Sequence, residues 1–485
     1  MIMAEERRFL KARKVFEQLL QLVRKTEVKD LRIDLLEREA LAMLLKVGFE
    51  LLEGYIARCG QGDAGETLQE EGRMLRRLEE PRDRRYVSIF GEHHFQRYVY
   101  AQREGQKIER MPVDERLGLP SGEFSYVLQD WLQRFALKES FAEGSASLET
   151  LLGLCVSVRS AEHMNQHLAQ YAEEFRAAQP PPDPPQEAEL LVYANDCKGV
   201  PMRRPVEERV RRGPRRGKGE KANQKQMACV GAAYSVAPYV RTADDILDEV
   251  FREARAADRP RPKNKRLWAE MTYAREGELL NGKTRVFVQQ ALDLLARDPT
   301  KQKTVICLMD GEKALRQEQH QWLPRAIGVL DIWHVMERLW DVAYCFHAEQ
   351  SPAAERFVED RLRALLEGKV GYVIGYFRRL LPEKKLTAAQ RRTIRSAIIY
   401  FENNRPYMKY DEYLAAGFPI GSGVAEGACR HVVKDRMELT GMRWTLQGAQ
   451  SMLHVRAIYL NDDWNEFLTY YIEAEQFRLY GKKAA

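Results

Sequence analysis

Three acidic residues stand where their neighbours would let them do chemistry. Asp196 closes the apolar run ELLVYAND (189–196), and Asp310 closes the run in KTVICLMDGEKA (303–314). Glu426 follows the turn Gly421-Ser422-Gly423, where a helical pattern begins. An acid at the point where a buried strand emerges is a common way to line one edge of a sheet with reactive groups. Carboxylates suit Mg²⁺ or Mn²⁺, hard ions that prefer oxygen ligands. Two such ions about 3.5–4 Å apart activate a water or a 3′-hydroxyl and stabilise the leaving oxygen in phosphodiester displacement. Each acid alone has a plainer reading. A strand-end aspartate caps the next helix, and a glutamate at a helix start favours the macrodipole. The three lie far apart in sequence, so a shared site requires the fold to gather them.

The elements that would position them read as an α/β core. ELLVYAND and MACVGAAYSVAP (227–238) are apolar runs of strand length, TRVFVQQALDLLARD is helical, and KTVICLMD is a buried strand. AIGVLDIWHVMERLWDVAYCFH holds a short strand that turns into a helix at Asp331. Strands alternating with helices predict helices packed on a sheet. Residues 352 to 415 return to a purely helical pattern before the Gly-rich turn.

Upstream of this core, residues 5 to 60 carry apolar residues at helical spacing, and YVSIFGEHHFQRYVY (86–100) alternates like a small hairpin. Residues 123 to 175 hold at least three short helices, compatible with a helix-turn-helix and equally with an ordinary helical bundle. The Pro-rich stretch AAQPPPDPPQEAE (177–189) is the clearest boundary. No internal repeat is visible.

Composition bounds the function. The chain has 485 residues, 45% hydrophobic and 31% charged, with a net charge of +6. It can bury a core, and it has no apolar run long enough to span a membrane. Its N-terminus lacks the apolar stretch of a secretory signal, which leads us to expect a cytoplasmic protein, associated with the nucleoid if bacterial. The seven cysteines are scattered without a CxxC pair, which argues against a disulfide framework and against structural zinc. Basic residues crowd from Arg203 to Lys225, including Arg211, Arg212, Arg215, Arg216 and Lys218, with a second cluster at 259–266. Such a loop suits phosphate contacts, since each neutralised phosphate releases counterions; a merely solvated loop is the alternative.

The segments ANDCKGVPMRRP, LMDGEKAL, LDIWHVMERLW and GSGVAEGACRHVVKDRMELTGMRW resemble successive signatures of ISKra-family insertion-sequence transposases, within the Mutator-like DDE superfamily. The likeness runs in order over about 120 to 465 and is densest at 305–340 and 415–460. It implies an RNase H-like core, with Asp196 and Asp310 as the two aspartates and Glu426 as the closing glutamate. It maps the Asp-x-x-His signature onto Asp331 and His334, which would position DNA, support the metal site, or form a buried His–carboxylate pair. It makes 352–415 a helical insertion between the last strand and the Glu-bearing helix. Two departures stand out: Cys197 follows the first aspartate where glycine is usual, and residues 99–120 lack the zinc-ribbon cysteines of many relatives.

Arg430, His431, Lys434, Arg436 and Arg443 add positive charge after Glu426; on a helix, Arg430 and Lys434 would share a face toward a phosphate backbone. Trp444 would stack on an unpaired base or anchor the core.

The resulting expectation has eight segments. Residues 1–85 are helical and dimer-forming, 86–120 a hairpin region, 121–178 helix-turn-helix-like and 179–189 a linker. Residues 190–345 and 416–465 are the two parts of the catalytic core, 346–415 the helical insertion and 466–485 a tail. The expected function is metal-dependent cleavage and strand transfer on double-stranded DNA, at terminal inverted repeats and a target, by a homodimer or higher homo-oligomer carrying two Mg²⁺ or Mn²⁺ ions and no zinc. A domesticated DNA-binding protein and an RNase H-like nuclease or resolvase are the alternatives.

Overall fold

Helical spacing of apolar residues near the start of the chain yields α1 (Leu10–Lys25) and α2 (Ile33–Arg58). The computed structural model describes residues 9–25, 32–70, 72–103, 105–203, 225–252, 259–275, 278–382 and 386–481. It divides into two units, Met1–Tyr171 with Asn465–Ala485, and Ala172–Trp464. Among the described residues, no helix is long and apolar enough to cross a membrane.

The first unit is not helical throughout its first 85 residues. Strands β1 (Thr67–Glu70) and β2 (Arg73–Arg77) pair there, and β3 (Arg82–Ser88) forms a hairpin with β4 (Gly91–Arg97). The signal for β2 was weak because RMLRR turns only one apolar side chain, Leu75, fully inward. A short β5 (Tyr100–Ala101) completes the three-stranded sheet. The hairpin docks on α2 through His93, whose ring stacks on Phe49 at 4.4 Å and bonds Glu53 Oε1 at 2.6 Å. After α3 (Pro112–Leu117) come α4 (Tyr126–Ala136), α5 (Phe141–Leu152) and α6 (Val158–Ala169), each started by a serine that caps it: Ser125, Ser140 and Ser157. The outward face of α6 carries Arg159, Glu162 and His163, a mixed set that favours neither the helix-turn-helix nor the bundle.

The second unit is a mixed α/β fold. It starts with α7 (Ala172–Ala178) and then builds β6 (Leu190–Pro201), β7 (Lys225–Val236) and α8 (Ala243–Phe251). An unexpected strand follows, β8 (Lys263–Met271), and then the small pair β9 (Tyr273–Arg275) and β10 (Glu278–Leu280). Next come α9 (Gly282–Arg297), β11 (Thr304–Met309), α10 (Lys313–Trp322), β12 (Ile327–Leu330) and α11 (Ile332–Ala343). The five-stranded sheet has the order β12-β11-β6-β7-β8. β12, β11 and β6 are parallel, while β7 runs antiparallel to both its neighbours, β6 and β8.

Side chains alternate across a strand, so each run feeds two cores. Leu190, Val192, Ala194, Ile306 and Leu308 face one side; Leu191, Tyr193, Val305, Cys307 and Met309 face the other. The second side is covered by Val286, Phe287 and Leu294 of α9. The first side meets α11 and a helical block, α12 (Pro352–Leu366), α13 (Val370–Leu380), α14 (Ala388–Asn404) and α15 (Tyr410–Ala415). The chain continues with α16 (Gly423–Ala428), a π-helical turn at Cys429–Lys434, α17 (Asp435–Met437) and α18 (Leu446–Leu460). The segment expected to be a tail is instead mostly α19 (Trp464–Tyr480), and its Tyr480 hydroxyl donates to Leu119 O at 2.7 Å in the first unit.

Helix α18 covers the edge strand β8 with polar groups as well as apolar ones. Asn461 Oδ1 accepts from Leu267 N at 2.8 Å, and Gln450 Oε1 accepts from Met271 N at 2.8 Å. Glu270, fully buried on β8, bonds His454 at 2.9 Å, Gln450 at 2.6 Å and Arg285 at 3.1 Å. Burial pushes its carboxyl up, but His454, Arg285 and Arg176 together pull it down to about 2. Glu173, Glu270 and His454 have donor spacing within a metal's reach, yet the Glu270 oxygens and Glu173 are already engaged by Arg285 and the Gln450–His454 pair. Removing one member of such a buried set leaves its partners charged and unpaired. Glu270→Gln should therefore lower stability by about 3–5 kcal/mol near neutral pH. Because the folded value lies below the ordinary 4.5, that contribution is present above pH 4.5 and is lost as pH falls toward about 2. Urea unfolding of both proteins across that range checks it; a gap that stays constant down to the acid limit would remove the ionic explanation.

Candidate active site

The register of the parallel strands brings three aspartates level. Met309 pairs with Asn195 on one side and with Leu330 on the other. The next residues along are Asp310, Asp196 and Asp331, so all three sit in one row at the same edge of the sheet. Asp196 and Asp310 have the parity of Val192 and Ala194 and of Ile306 and Leu308, and so face the side that packs on α11 and α16. Asn195 points the opposite way. It exchanges two amide hydrogen bonds with Gln290 of α9, at 2.9 and 3.1 Å, which pins the strand just before Asp196. Gly311 has φ +87°, and a Cβ there would lie 2.7 Å from Leu330 Cδ1, so only glycine lets the chain turn away behind Asp310.

Glu426 arrives by a different route. The Ile332 N–H donates to Ile420 O at 2.9 Å, which lays the Gly-rich turn against the start of α11. Gly421 allows that approach, because a Cβ would meet Trp333 Nε1 at 2.9 Å. The fully buried Asp331 carboxylate then binds both helix starts. Oδ1 accepts from Trp333 N at 3.1 Å and from Ser422 N at 3.2 Å, and Oδ2 accepts from the Ser422 hydroxyl. Ser422 O in turn accepts from Glu426 N at 2.9 Å, the first turn of α16. Asp331 is thus the N-cap of α11 and the clasp of the turn that carries Glu426.

The gathered groups act on one another. Burial pushes the Asp310 carboxyl up, the Glu312 N–H at 2.7 Å and His334 pull it down, and Asp196 pushes it up again. Burial, then Asp331 and Asp196, push Glu426 up against the pull of His334. Burial holds His334 down, but Asp331, Glu337, Asp310 and Asp196 raise it overall. Burial, with the negative charge of Asp196, pushes up the thiol of Cys429, on the turn after Glu426. Cys197 N donates to Asp196 Oδ1 at 2.6 Å, and Cys197 faces Cys229 across the β6–β7 ladder. The helical block also reaches the site: the Tyr400 hydroxyl donates to Asp310 O at 2.7 Å, and Tyr410 to Leu330 O at 2.8 Å. Neither Cys429 nor Tyr400 carried a sequence signal, since both depend on long-range contacts.

The basic residues after Glu426 divide. Arg430 and His431 are exposed and lean on Asp435, at 3.6 and 2.9 Å, and Lys434 is exposed. The π turn breaks the regular spacing that would put Arg430 and Lys434 on one helical face. Arg436 is fully buried, with its guanidinium 5.0 Å over the Trp444 ring and Nη1 3.1 Å from Met442 Sδ. Trp444 is buried as well, and Nε1 donates to Met437 O at 3.1 Å. Arg436, expected at a DNA surface, instead packs in the core on Trp444, which takes the core-anchor place of its two readings, because a flat guanidinium buries well on an indole face. Trp444 also closes on β6: its N–H donates to Pro201 O at 3.0 Å, and its carbonyl accepts from Arg203 N at 2.8 Å. Arg443 is exposed. Arg211, Arg212, Arg215, Arg216 and Lys218 lie outside the described residues.

Chemically the arrangement is a half-open group of carboxylates whose mutual repulsion a divalent cation would relieve. Asp196 and Asp310 offer hard oxygen donors at one strand edge, of the kind Mg²⁺ or Mn²⁺ takes, while the donor atoms within 4.8 Å of those of Glu426 and of one another are those of Asp331 and His334. No family model matches the chain, and no curated protein matches it.

Without divalent cations the Asp310 charge opposes folding. Its folded value is raised above 3.8, so its stabilising contribution is present below pH 3.8 and is lost as pH rises through the folded value. In EDTA, Asp310→Asn should melt at a higher temperature than wild type at about pH 8, with the difference closing toward pH 3.8. A variant that melts lower in EDTA at about pH 8 would show that Asp310 is held by a partner and not strained by its neighbours.

Proposed function

We propose that the second unit is the catalytic core of a DDE-type DNA transposase that cuts and joins DNA at the ends of an insertion sequence. The observation that carries this reading is the shared edge. Asp196 and Asp310 stand level on adjacent parallel strands, and Glu426 is delivered to the same electrostatic cluster by a clasped turn. Numbered along the chain, the sheet has the order 3-2-1-4-5, with the last two strands parallel to the first, as an RNase H-like core would have. The helical block between β12 and α16 takes the place of an insertion in that core.

Asp196, Asp310 and Glu426 would hold two divalent ions. When bound, such ions supply an activated oxygen nucleophile and neutralise charge at the phosphate. The chain's own contribution is positioning. The Asn195–Gln290 pair sets the rotation of β6, Tyr400 fixes the carbonyl of Asp310, and the Asp331–Ser422 clasp sets the reach of Glu426. Exposed Arg430 and Lys434 suit the phosphates on either side of the reacting one. We assign inverted-repeat recognition and self-association to the first unit, and flanking phosphate contacts to the basic segment that includes Arg211 and Lys218.

Strand transfer from a pre-cleaved inverted-repeat end in Mg²⁺ or Mn²⁺ is the test. Asp310→Ala and Glu426→Ala should each lose on the order of 10²–10³-fold or more while still binding the DNA end. Full activity in both would remove the assignment. End binding without metal-dependent cutting in wild type would favour the DNA-binding alternative, and cutting that ignores the repeats would favour a nuclease. Arg430→Ala should weaken binding evenly across sequences and reduce the salt slope by about 1. Binding isotherms over a salt series measure it, and an unchanged slope would take Arg430 off the DNA path.

A further inference from the structure

Asp331 and His334 sit three residues apart but have different surroundings. The Asp331 oxygens are occupied by Trp333 N, Ser422 N and the Ser422 hydroxyl, and its side chain is buried. That is the setting of a positioning residue. The His334 side chain is 27% exposed and turned toward the carboxylates. Its Nδ1 lies 3.3 Å from Glu337 Oε2, one turn along α11. Its Nε2 lies 4.0 Å from Asp331 Oδ2, which is beyond hydrogen-bond range. Donor atoms of Asp331, His334 and Glu426 all fall within 4.8 Å of one another.

A metal-binding histidine has this pattern. One ring nitrogen donates to a carboxylate, which fixes the tautomer and orientation, and the other presents its lone pair. Donors at about 2.0–2.2 Å from an ion are at most about 4.4 Å apart, so the spacing here closes with a shift of roughly half an ångström. We propose that His334 Nε2, with Glu426, is a ligand of one of the two divalent ions, oriented by Glu337. That position would have a mixed nitrogen and oxygen donor set, unlike the all-oxygen position beside Asp196 and Asp310. Imidazole shifts preference away from Mg²⁺ toward first-row transition ions, so Mn²⁺ is the expected better occupant. The inference rests on the reading that this site holds divalent cations.

The full-length protein titrated with Mn²⁺ and read by electron spin echo spectroscopy separates the two claims. Wild type should show bound Mn²⁺ with nitrogen-14 modulation. His334→Gln should keep bound Mn²⁺ on the carboxylates, lose the modulation and lose part of its preference for Mn²⁺ over Mg²⁺. Glu337→Gln should keep the modulation but bind Mn²⁺ about 10-fold more weakly. Bound Mn²⁺ without nitrogen modulation in wild type, or modulation that persists in His334→Gln, would overturn the role of His334 and leave the carboxylate site standing. No bound Mn²⁺ in wild type, or binding unchanged in a combined Asp310→Ala and Glu426→Ala variant, would overturn the metal reading itself. Circular dichroism of each variant shows that a loss is not unfolding.

Discussion

A single buried carboxylate joins the parts of this site. Asp331 ends a strand, caps the helix that follows, and takes both polar hydrogens of Ser422 from a turn that lies almost a hundred residues further on. Burying a carboxylate is costly unless its oxygens are matched, and here three donors match them. The match in turn dictates where the Gly-rich turn lies, and so where α16 begins. Glu426 reaches the sheet edge because Asp331 needs Ser422, and both helices inherit their entry points from that one interaction.

The charge of Asp310 opposes folding where the clasp favours it. Level strand ends place like charges side by side, and burial makes Asp310 and Asp331 harder to ionise. The fold holds this arrangement with groups that carry no net charge. Tyrosine hydroxyls from the helical block bond the carbonyls of Asp310, Leu330 and Gly328, the last at 3.2 Å, and the Asn195–Gln290 pair locks the far side of β6. Neutral tethers hold geometry without neutralising the carboxylates, which leaves their charge available to a ligand.

The sequence revealed what local physics controls. The runs ending at Asp196 and Asp310 read as strands because they are apolar on both faces, and Gly421 and Gly423 announced a turn before Glu426. β8 escaped because its first half, KNKR, is a charged edge and only Leu267–Met271 is buried. Arg436 escaped in the opposite sense: a lone arginine among other basic residues reads as surface, and only the indole of Trp444 makes its burial possible. The Asp331–Ser422 clasp could not be read at all, since nothing local marks two residues that meet across an entire helical block. Resemblance supplied the grouping of the three acids; register places Asp196 and Asp310 level, and only the Asp331–Ser422 clasp accounts for the position of Glu426.

The π-helical turn after Glu426 works as a phase adjuster. A regular helix advances about 100° per residue, and a π turn absorbs one extra residue. Arg456 makes this tolerable by donating to the carbonyls of His431 and Val432, at 2.7 and 3.1 Å, which the widened turn would otherwise leave unmatched. With the extra residue in place, Glu426 looks toward the sheet edge while Arg436, ten positions later, looks into the Trp444 pocket. Deletion of any one residue between 429 and 434 would rotate those two seats against each other by roughly a quarter turn, so only one could be kept. The number of residues in this segment, more than their identity, keeps the Glu426 end and the Arg436 end in step.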